Sequence, residues 1–394
     1  MISLSRFASL LAHADVRQSF ANSFLGRLPI GIAGLAILLL VQSLEQSYAT
    51  AGLVAACYVG GLASASPLLG RLIDRIGPRP VLAACAIVYP AALSLLIVTA
   101  HAGYTTTYGV LFAALAGASF PPVTACQRAW LRQRLGDDPL FTAALSLDAL
   151  IVELVFIIGP LLVALLVAVA SPAAAVGAAA VCGLAGSLQF TRAQALRTWR
   201  VVARESGPLL GPLGEQRFPV LLFLITCYAT VFGIVEIGVT AFARETGSPA
   251  LAGVLLAVMS IGSVLGALVY GSRHWHQPLV HQFSYSLAVM GAGILPLALA
   301  TQPTLFGLWC AVAGIAMTPT LIVQSTLVAR TVRVEFATEG FTWSATALLA
   351  GVSLGLAVGG LLLESGNVAR LFWLAALVSV LAGLLSRGLL RAPA

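Results

Sequence analysis

Apolar residues form twelve long runs along the chain, separated by short segments rich in glycine, proline and arginine. Each run has about 20 residues or more, the length that a helix needs to cross the hydrocarbon core of a bilayer. The pattern therefore predicts twelve membrane-spanning helices, numbered in chain order as spans 1 to 12. Their predicted limits are 20–42, 48–70, 79–100, 104–127, 142–168, 172–191, 218–242, 249–271, 278–300, 303–327, 338–363 and 367–388.

The composition supports this interpretation and excludes a soluble globular fold. Of the 394 residues, 59% are hydrophobic and 9% are charged, with a mean hydropathy of +0.99, whereas a soluble domain is about 45–50% apolar and about 25% charged. The six cysteines lie far apart inside apolar runs, so they indicate neither a disulfide framework nor a metal site. We expect no metal and no cofactor.

The arginines are distributed asymmetrically between the two sides of the predicted membrane protein. All 21 cationic residues are arginines; Arg27 lies inside span 1, and only Arg244 and Arg370 fall in outer segments if the N-terminus is cytoplasmic. The positive-inside rule then places both termini in the cytoplasm. The arginines are not interleaved with aromatic residues, so the pI near 9.4 does not indicate nucleic-acid binding. The cytoplasmic set is Arg6, Arg17, Arg71, Arg75, Arg79, Arg128, Arg132, Arg134, Arg192, Arg197, Arg200, Arg204, Arg217, Arg273, Arg330, Arg333, Arg387 and Arg391.

The chain repeats itself at an interval of about 200 residues. Because six spans is an even number, the two halves enter the membrane with the same polarity and are parallel repeats. We predict an interfacial amphipathic segment 1–19, an N-terminal half 20–191, a cytoplasmic linker 192–217 and a C-terminal half 218–394. The matches are Gly52, Gly61 and Gly70 with Gly253, Gly262 and Gly271 (offset 201), Ala116, Gly117, Pro122 and Gln127 with Ala313, Gly314, Pro319 and Gln324 (offset 197), and Phe141, Thr142 and Gly159 with Phe341, Thr342 and Gly359 (offset 200).

The loop between spans 2 and 3 carries an unusually dense group of charges, GRLIDRIGPRP at residues 70–80. This stretch resembles the loop signature of the major facilitator superfamily, Gly-x-Leu-x-Asp-Arg-x-Gly-Arg-Arg. Pro78 departs from the signature, where the family has a basic residue. The resemblance in topology covers about residues 15–390. The matching positions are Gly70, Leu72, Asp74, Arg75, Gly77 and Arg79.

The resemblance implies an all-α integral membrane protein with twelve transmembrane helices in two parallel six-helix repeats around a central cavity. A second motif lies in span 5, where Gly159-Pro160 is similar to the Gly-Pro core of a signature common in exporters of the superfamily. Val163 and Ala164 stand where glycines would complete that signature.

The resemblance also implies a gate on the cytoplasmic side. In the superfamily, the carboxylate that corresponds to Asp74 sits against the start of span 11. A helix N-terminus offers unpaired N–H groups and a partial positive charge, so this contact would stabilise one of two conformations. Glu339, near the start of span 11, is expected either to cap its own helix or to belong to this gate.

Besides Glu339, four ionisable residues are predicted inside the spans, where a charge costs at least about 2.5 kcal/mol and therefore marks function. Arg27 and Asp148 lie at similar depth in spans 1 and 5, and we expect them to form an ion pair. Glu153 in span 5 and Glu236 in span 7 have no evident cationic partner, so burial favours the protonated form. They are either structural acids held by hydrogen bonds or proton carriers, and we treat Glu153, Glu236 and Asp148 as candidate proton-coupling residues.

The superfamily lines its cavity with spans 1, 4, 7 and 10, which in this chain carry few polar side chains. No arginine cluster suits phosphates or dicarboxylates, and no row of aromatic and amide side chains suits a sugar. We therefore expect an amphipathic or weakly polar organic substrate. The predicted cavity residues are Arg27, Gln127, Tyr228, Thr230, Glu236, Thr318 and Gln324.

These features favour a secondary active transporter, most simply a proton-coupled exporter that works by alternating access. Its expected partners are a small-molecule substrate, protons and the lipid bilayer of a bacterial inner membrane, with activity as a monomer and no nucleic-acid partner. No enzyme signature and no phosphate-binding loop are present, so we expect neither catalysis nor direct use of ATP. Two alternatives remain open: a proton-linked uptake symporter for a small metabolite, and a membrane receptor or lipid scramblase on the same fold.

Overall fold

The computed structural model describes residues 5–46, 48–136, 138–201, 211–246, 251–365 and 367–390, and most of them are helical. The predicted all-α architecture is confirmed. The α-helices are α1 (Ser5–Ala12), α2 (Ala14–Glu45), α3 (Tyr48–Ile76), α4 (Pro78–His101), α5 (Val110–Ala118), α6 (Val123–Leu135), α7 (Leu140–Val169), α8 (Pro172–Arg192), α9 (Gln194–Arg197), α10 (Arg217–Glu245), α11 (Leu251–Gly271), α12 (Leu279–Ile294), α13 (Pro303–Thr331), α14 (Ala337–Ser365) and α15 (Val368–Leu389).

Eleven helical segments among the described residues are long and apolar enough to cross a membrane. The remaining predicted span, span 9, is α12, which has only 16 residues but continues as a 3₁₀ turn over Leu295–Ala298. Pro296 lies in this turn and has no N–H to donate, so the regular α-helical ladder stops there. Together the two pieces complete the twelfth crossing.

Span 4 is broken in the middle, whereas its counterpart in the second half is continuous. α5 ends at Ala118 and α6 begins at Val123, with Pro121 and Pro122 between them. Two successive prolines remove two backbone donors, whereas the interior of α13 contains one proline, Pro319, and the helix runs through it. α6 then extends to Leu135, so the arginines that the sequence places in the following loop belong to this helix.

Close helix contacts confirm the repeat in two of the three helix pairs. A Cβ added to Gly117 would lie 1.9 Å from the carbonyl oxygen of Tyr58, and one added to Gly314 would lie 2.0 Å from that of Met259. The two contacts are related by offsets of 197 and 201, as predicted. Small residues at such crossings let the backbones approach, which matters in lipid because no hydrophobic drive holds helices together.

The third pair, α7 with α14, is offset by one helical turn from the prediction. A Cβ on Gly70 would meet Thr342 in α14, and the equivalent Gly271 would meet Ser146 in α7. Thr342 and Ser146 are therefore structural counterparts at an offset of 196, not 200. The four-residue difference is about one turn of helix. The sequence matches therefore identified the correct helix face but are displaced by one turn along the helix axis.

Most arginines gather at one end of the bundle, which we call the basic end. It contains the start of α2, the end of α3, the loop before α7 and the start of α14. The middle of the linker, with Arg204 and Ser206, and the last arginine, Arg391, lie outside the described residues.

Candidate functional site

Asp74 joins the two halves at the basic end. Its Oδ1 accepts a hydrogen bond from the backbone N–H of Thr338 at 3.0 Å, and its Oδ2 accepts one from that of Glu339 at 2.8 Å. Both donors belong to the first turn of α14, where N–H groups have no partner within the helix. The expected contact between the loop carboxylate and the start of span 11 is confirmed.

A second charged contact lies beside the first. Arg71 in α3 donates from Nε and Nη2 to Oε1 of Glu339, at 3.0 and 2.7 Å. The Glu339 side chain is 1% exposed and binds this arginine of the other half. Among the described residues its carboxylate accepts no hydrogen bond from its own helix, so the expected cap is not formed. We refer to Asp74, Arg71, Glu339 and Thr338 as the gate.

The rest of the loop signature shapes the backbone around the gate. Gly70 permits close approach, because an added Cβ would lie 2.9 Å from Cα of Glu339. Gly77 has φ of +87°, which side chains disfavour, and Pro78 then begins α4. Arg75 and Arg79 are exposed at the surface of the basic end.

The N-terminal helix α1 adds a bridge between the halves. Arg6 donates to the carbonyl oxygen of Pro139, just before α7, and to that of Arg273, just after α11. Phe7 is buried and packs where a side chain on Gly271 would otherwise lie. α1 therefore covers the junction of α7 and α11 at the basic end.

Contacts between the halves reach from the basic end to the middle of the bundle. The Thr346 hydroxyl donates to the carbonyl oxygen of Ala63 at 3.0 Å, about two turns above the gate. Farther along α3, an added Cβ on Gly60 or Gly52 would meet no atom within 4 Å. The structure is thus closed at the basic end.

Arg27, Arg128 and Asp148 form a buried ion triad. Arg27 Nη2 lies 2.7 Å from Asp148 Oδ1, and Arg128 Nε lies 2.6 Å from Asp148 Oδ2. The exposed side-chain fractions are 1% for Arg27, 0% for Asp148 and 19% for Arg128. The expected contact between Arg27 and Asp148 is present, but the second arginine was not anticipated. Its signal was its position directly after Gln127, at the end of a span and near the depth of Asp148.

Three of the polar residues predicted for the cavity, Gln127, Tyr228 and Gln324, are buried and hydrogen-bonded between helices in this conformation. Gln127 accepts from Ser19 at 2.6 Å. In the second half, Tyr228 donates to Gln324 at 2.7 Å, and Gln324 donates to Ser344. Gln127 and Gln324 are repeat counterparts, so each half has one such amide.

The hydroxyls of two further predicted cavity residues, Thr230 and Thr318, form hydrogen bonds within their own helices. The Thr230 hydroxyl donates to the carbonyl oxygen of Thr226 at 2.9 Å, and the Thr318 hydroxyl donates to that of Gly314 at 3.2 Å. Both hydroxyls are thereby satisfied within their own helices. With the O–H group already donating, each hydroxyl can bind a ligand only as an acceptor, through the lone pairs of its oxygen.

Glu153 and Glu236 have neither an ion pair nor a side-chain hydrogen bond among the described residues. Glu153 is half-buried on α7, two turns after Ser146 and therefore on the same face, which at Ser146 packs against α11 of the other half. Glu236 is exposed on α10, between Gly233, which contacts α14, and Gly238, which contacts Phe372 of α15. Of these two acids, only Glu153 lies along the seam between the halves, by which we mean the contact of α7 with α11.

Solved structures similar to this chain share its fold. The human organic anion transporter MFSD10 (TETRAN) is 17% identical with a TM-score of 0.73, and the alignment covers 94% of this chain and 99% of that chain. A bacterial homologue of the iron transporter ferroportin in its outward-facing state is 14% identical with a TM-score of 0.76, covering 95% and 98%. A variant of the E. coli fucose:proton symporter FucP is 12% identical with a TM-score of 0.71, covering 96% and 99%. The fold therefore defines a multi-pass helical membrane protein of two six-helix halves.

The family model described as Major Facilitator Superfamily matches residues 20–276. The chain belongs to this superfamily. It is a transporter and not an enzyme, as the sequence predicted. No curated protein sequence matches the chain significantly.

Proposed function

We propose that the protein is a proton-coupled exporter of a small amphipathic organic compound and works by alternating access as a monomer. The observation that carries the proposal is the gate: Asp74 and Arg71 of one half hold the first turn of α14 in the other half at the basic end. A contact of this kind can form in one conformation and break in the other, which biases two nearly balanced states.

The basic end faces the cytoplasm of a bacterium in this proposal, with both termini on that side. The arginine asymmetry supports this orientation through the positive-inside rule. The structure then corresponds to an outward-facing state, because its halves are joined at the basic end. One of the similar structures is also of an outward-facing state.

Proton coupling is assigned to Glu153. Its side chain has no partner among the described residues and lies on the seam between α7 and α11, where packing must change when the halves rock. Burial disfavours a charged carboxyl, so a change in its surroundings links protonation to conformation. Asp148 is the weaker candidate, because two arginines already hold its carboxylate. The fucose:proton symporter with this fold offers a fold-level analogy only.

Everted membrane vesicles test the proposal. Respiration acidifies the lumen of these vesicles, and a fluorescent dye reports the pH gradient. The test compounds are benzenesulfonate, octanesulfonate and the uncharged sulfonamide of each, added one at a time. We expect at least one compound to accumulate in the lumen and to release protons, with both effects absent from vesicles without the protein. Accumulation that survives a protonophore would contradict proton coupling, and exit of a preloaded compound would indicate a symporter. Labelling of a Gln277→Cys variant from the cytoplasmic face alone confirms the orientation.

Replacing Asp74 with asparagine is expected to loosen the gate. The neutral amide loses the interaction with the helix N-terminus, which is worth about 0.3–2 kcal/mol, so the closed population should fall by about two- to thirtyfold relative to the open one. Cys126 is buried on α6, close enough to Asp74 for the two groups to interact electrostatically. The rate at which its thiol reacts with a reagent from solution therefore reports on opening of the gate. We expect faster maleimide labelling of Cys126, measured by peptide mass spectrometry, together with slower transport.

Asp138→Asn is the matched control for this experiment. Asp138 is an exposed aspartate at the same end, and its carboxylate accepts only the local N–H of Leu140. This variant should label and transport like the parent protein. Equal Cys126 labelling rates in the Asp74→Asn variant and the parent protein would show that Asp74 does not hold the gate.

A further inference from the structure

The buried ion triad of Arg27, Arg128 and Asp148 has one uncompensated positive charge. Arg27 and Arg128 contribute two positive charges, and Asp148 contributes one negative charge. Each carboxylate oxygen of Asp148 is already in contact with one arginine. Among the described residues no second carboxylate forms an ion pair with either guanidinium. Uncompensated charge in a buried site is costly, so the triad is suited to a further anion.

Arg27 also has donors to offer. Its Nε and Nη1 are buried and have no hydrogen-bond acceptor among the described residues, although its Nη2 contacts Asp148. A guanidinium presents its N–H groups in a planar fork that matches a carboxylate or sulfonate. The side chain is 1% exposed, so these free donors are held in place and are not solvated at a surface.

The triad is built on three helices of the N-terminal half, and two of them, α6 and α7, contact helices of the C-terminal half. Arg27 is 13 residues from the start of the 32-residue helix α2, which places it about 20 Å along a helix of about 48 Å, near its middle. Arg128 lies within electrostatic range of Tyr228, which belongs to the other half and binds Gln324. The triad thus lies in the N-terminal half beside its contacts with the C-terminal half, between the basic end and the middle of the bundle.

We propose that the triad binds the negatively charged head group of the transported compound, a monoanion such as a carboxylate or sulfonate attached to an apolar body. This inference rests on the proposed transport function and specifies its substrate class. One anion neutralises the excess charge and accepts hydrogen bonds from the free Arg27 donors. A dianion would overcompensate the single excess charge, so monoanions are favoured over phosphates and dicarboxylates.

Binding to the purified protein tests this inference without any proton gradient. The probes are benzenesulfonate and octanesulfonate, which stay charged at all accessible pH values, and the corresponding uncharged sulfonamides. A ligand that binds the folded state raises the unfolding temperature. We expect at least one sulfonate to stabilise the parent protein and its sulfonamide not to do so.

Arg27→Gln should weaken sulfonate binding by about ten- to hundredfold, the cost of losing a hydrogen bond to a charged group. Arg27→Lys keeps the charge without the planar fork and should recover part of the affinity. Arg192→Gln, which removes an exposed arginine at the basic end, should bind like the parent protein. Arg27→Gln leaves the Arg128–Asp148 pair neutral, so this variant should fold.

Three results would overturn the inference: no sulfonate stabilises the parent protein, the sulfonamides stabilise it equally, or Arg27→Gln binds sulfonates as tightly as Arg192→Gln does. None of these results bears on proton coupling. A neutral compound that is accumulated with proton release would support the proposed function while refuting the anion site. Sulfonate binding without proton-driven accumulation would do the opposite.

Discussion

Replacing Glu153 with glutamine is expected to abolish proton-driven accumulation while leaving substrate exchange intact. Glutamine has nearly the shape of a protonated glutamate but cannot release a proton, so the two conformations can still interconvert without coupling. The measurement uses proteoliposomes with an imposed pH gradient and the compound identified in the vesicle assay. We expect no accumulation above the equilibrium level, but counterflow exchange without a gradient at a rate close to that of the parent protein.

Glu236→Gln is the matched control, since it removes the other unpartnered acid of the described spans. Glu236 is exposed on α10 between residues that pack within its own half, so the variant should retain coupling. If Glu236→Gln uncouples and Glu153→Gln does not, the two roles are reversed. If both variants accumulate substrate as well as the parent protein, these acids are structural and proton coupling has no carrier among them.

Replacing Asp148 with asparagine is expected to lower the stability of the protein more than Arg27→Gln or Asp74→Asn does. The change leaves Arg27 fully buried without a carboxylate beside it, next to a second arginine. Breaking a buried ion pair in this way costs about 3–5 kcal/mol. Thermal unfolding of the purified protein at a fixed scan rate should show a clearly lowered midpoint for Asp148→Asn.

The charge balance of the triad makes the comparison specific. Arg27→Gln leaves one arginine paired with one carboxylate and should be destabilised much less. The double variant Arg27→Gln/Asp148→Asn removes one charge of each sign and should be more stable than Asp148→Asn alone. If Asp148→Asn unfolds at the same temperature as Arg27→Gln, the excess positive charge is compensated by another group, and the charge count of the triad is wrong.

Much of the architecture could be predicted because its determinants are local in sequence. Crossing a bilayer requires about 20 apolar residues in succession, so spans are visible in hydropathy alone. Gly77 is an example at the gate: the loop signature contains this glycine, and the residue adopts a positive φ that side chains disfavour. The pairing of Asp74 with α14 was predicted from a family motif. The donors are backbone N–H groups at a helix N-terminus, which a helix of any sequence provides, so the residues of α14 do not have to match a pattern.

Tertiary packing decided the features that depend on which faces meet. Hydropathy places Arg128 at the end of a span without showing that α6 turns it toward Asp148, so the second arginine of the triad and its excess charge were not foreseen. Glu339 lies at a position that suits a helix cap, but Arg71 from the other half binds it.

The sequence by itself determined the number of spans, the two-half repeat and the position of the gate. The first two depend on composition and periodicity along the chain, and the position of the gate was implied by the resemblance of its loop to a family motif. Only the tertiary structure decided the one-turn shift between α7 and α14, the bridge made by Arg6 and the second arginine that contacts Asp148. The physical reason is that such contacts depend on the relative height and rotation of helices that are distant in sequence. Lipid solvates every apolar face of a helix equally, so the hydropathy pattern does not show which face contacts another helix.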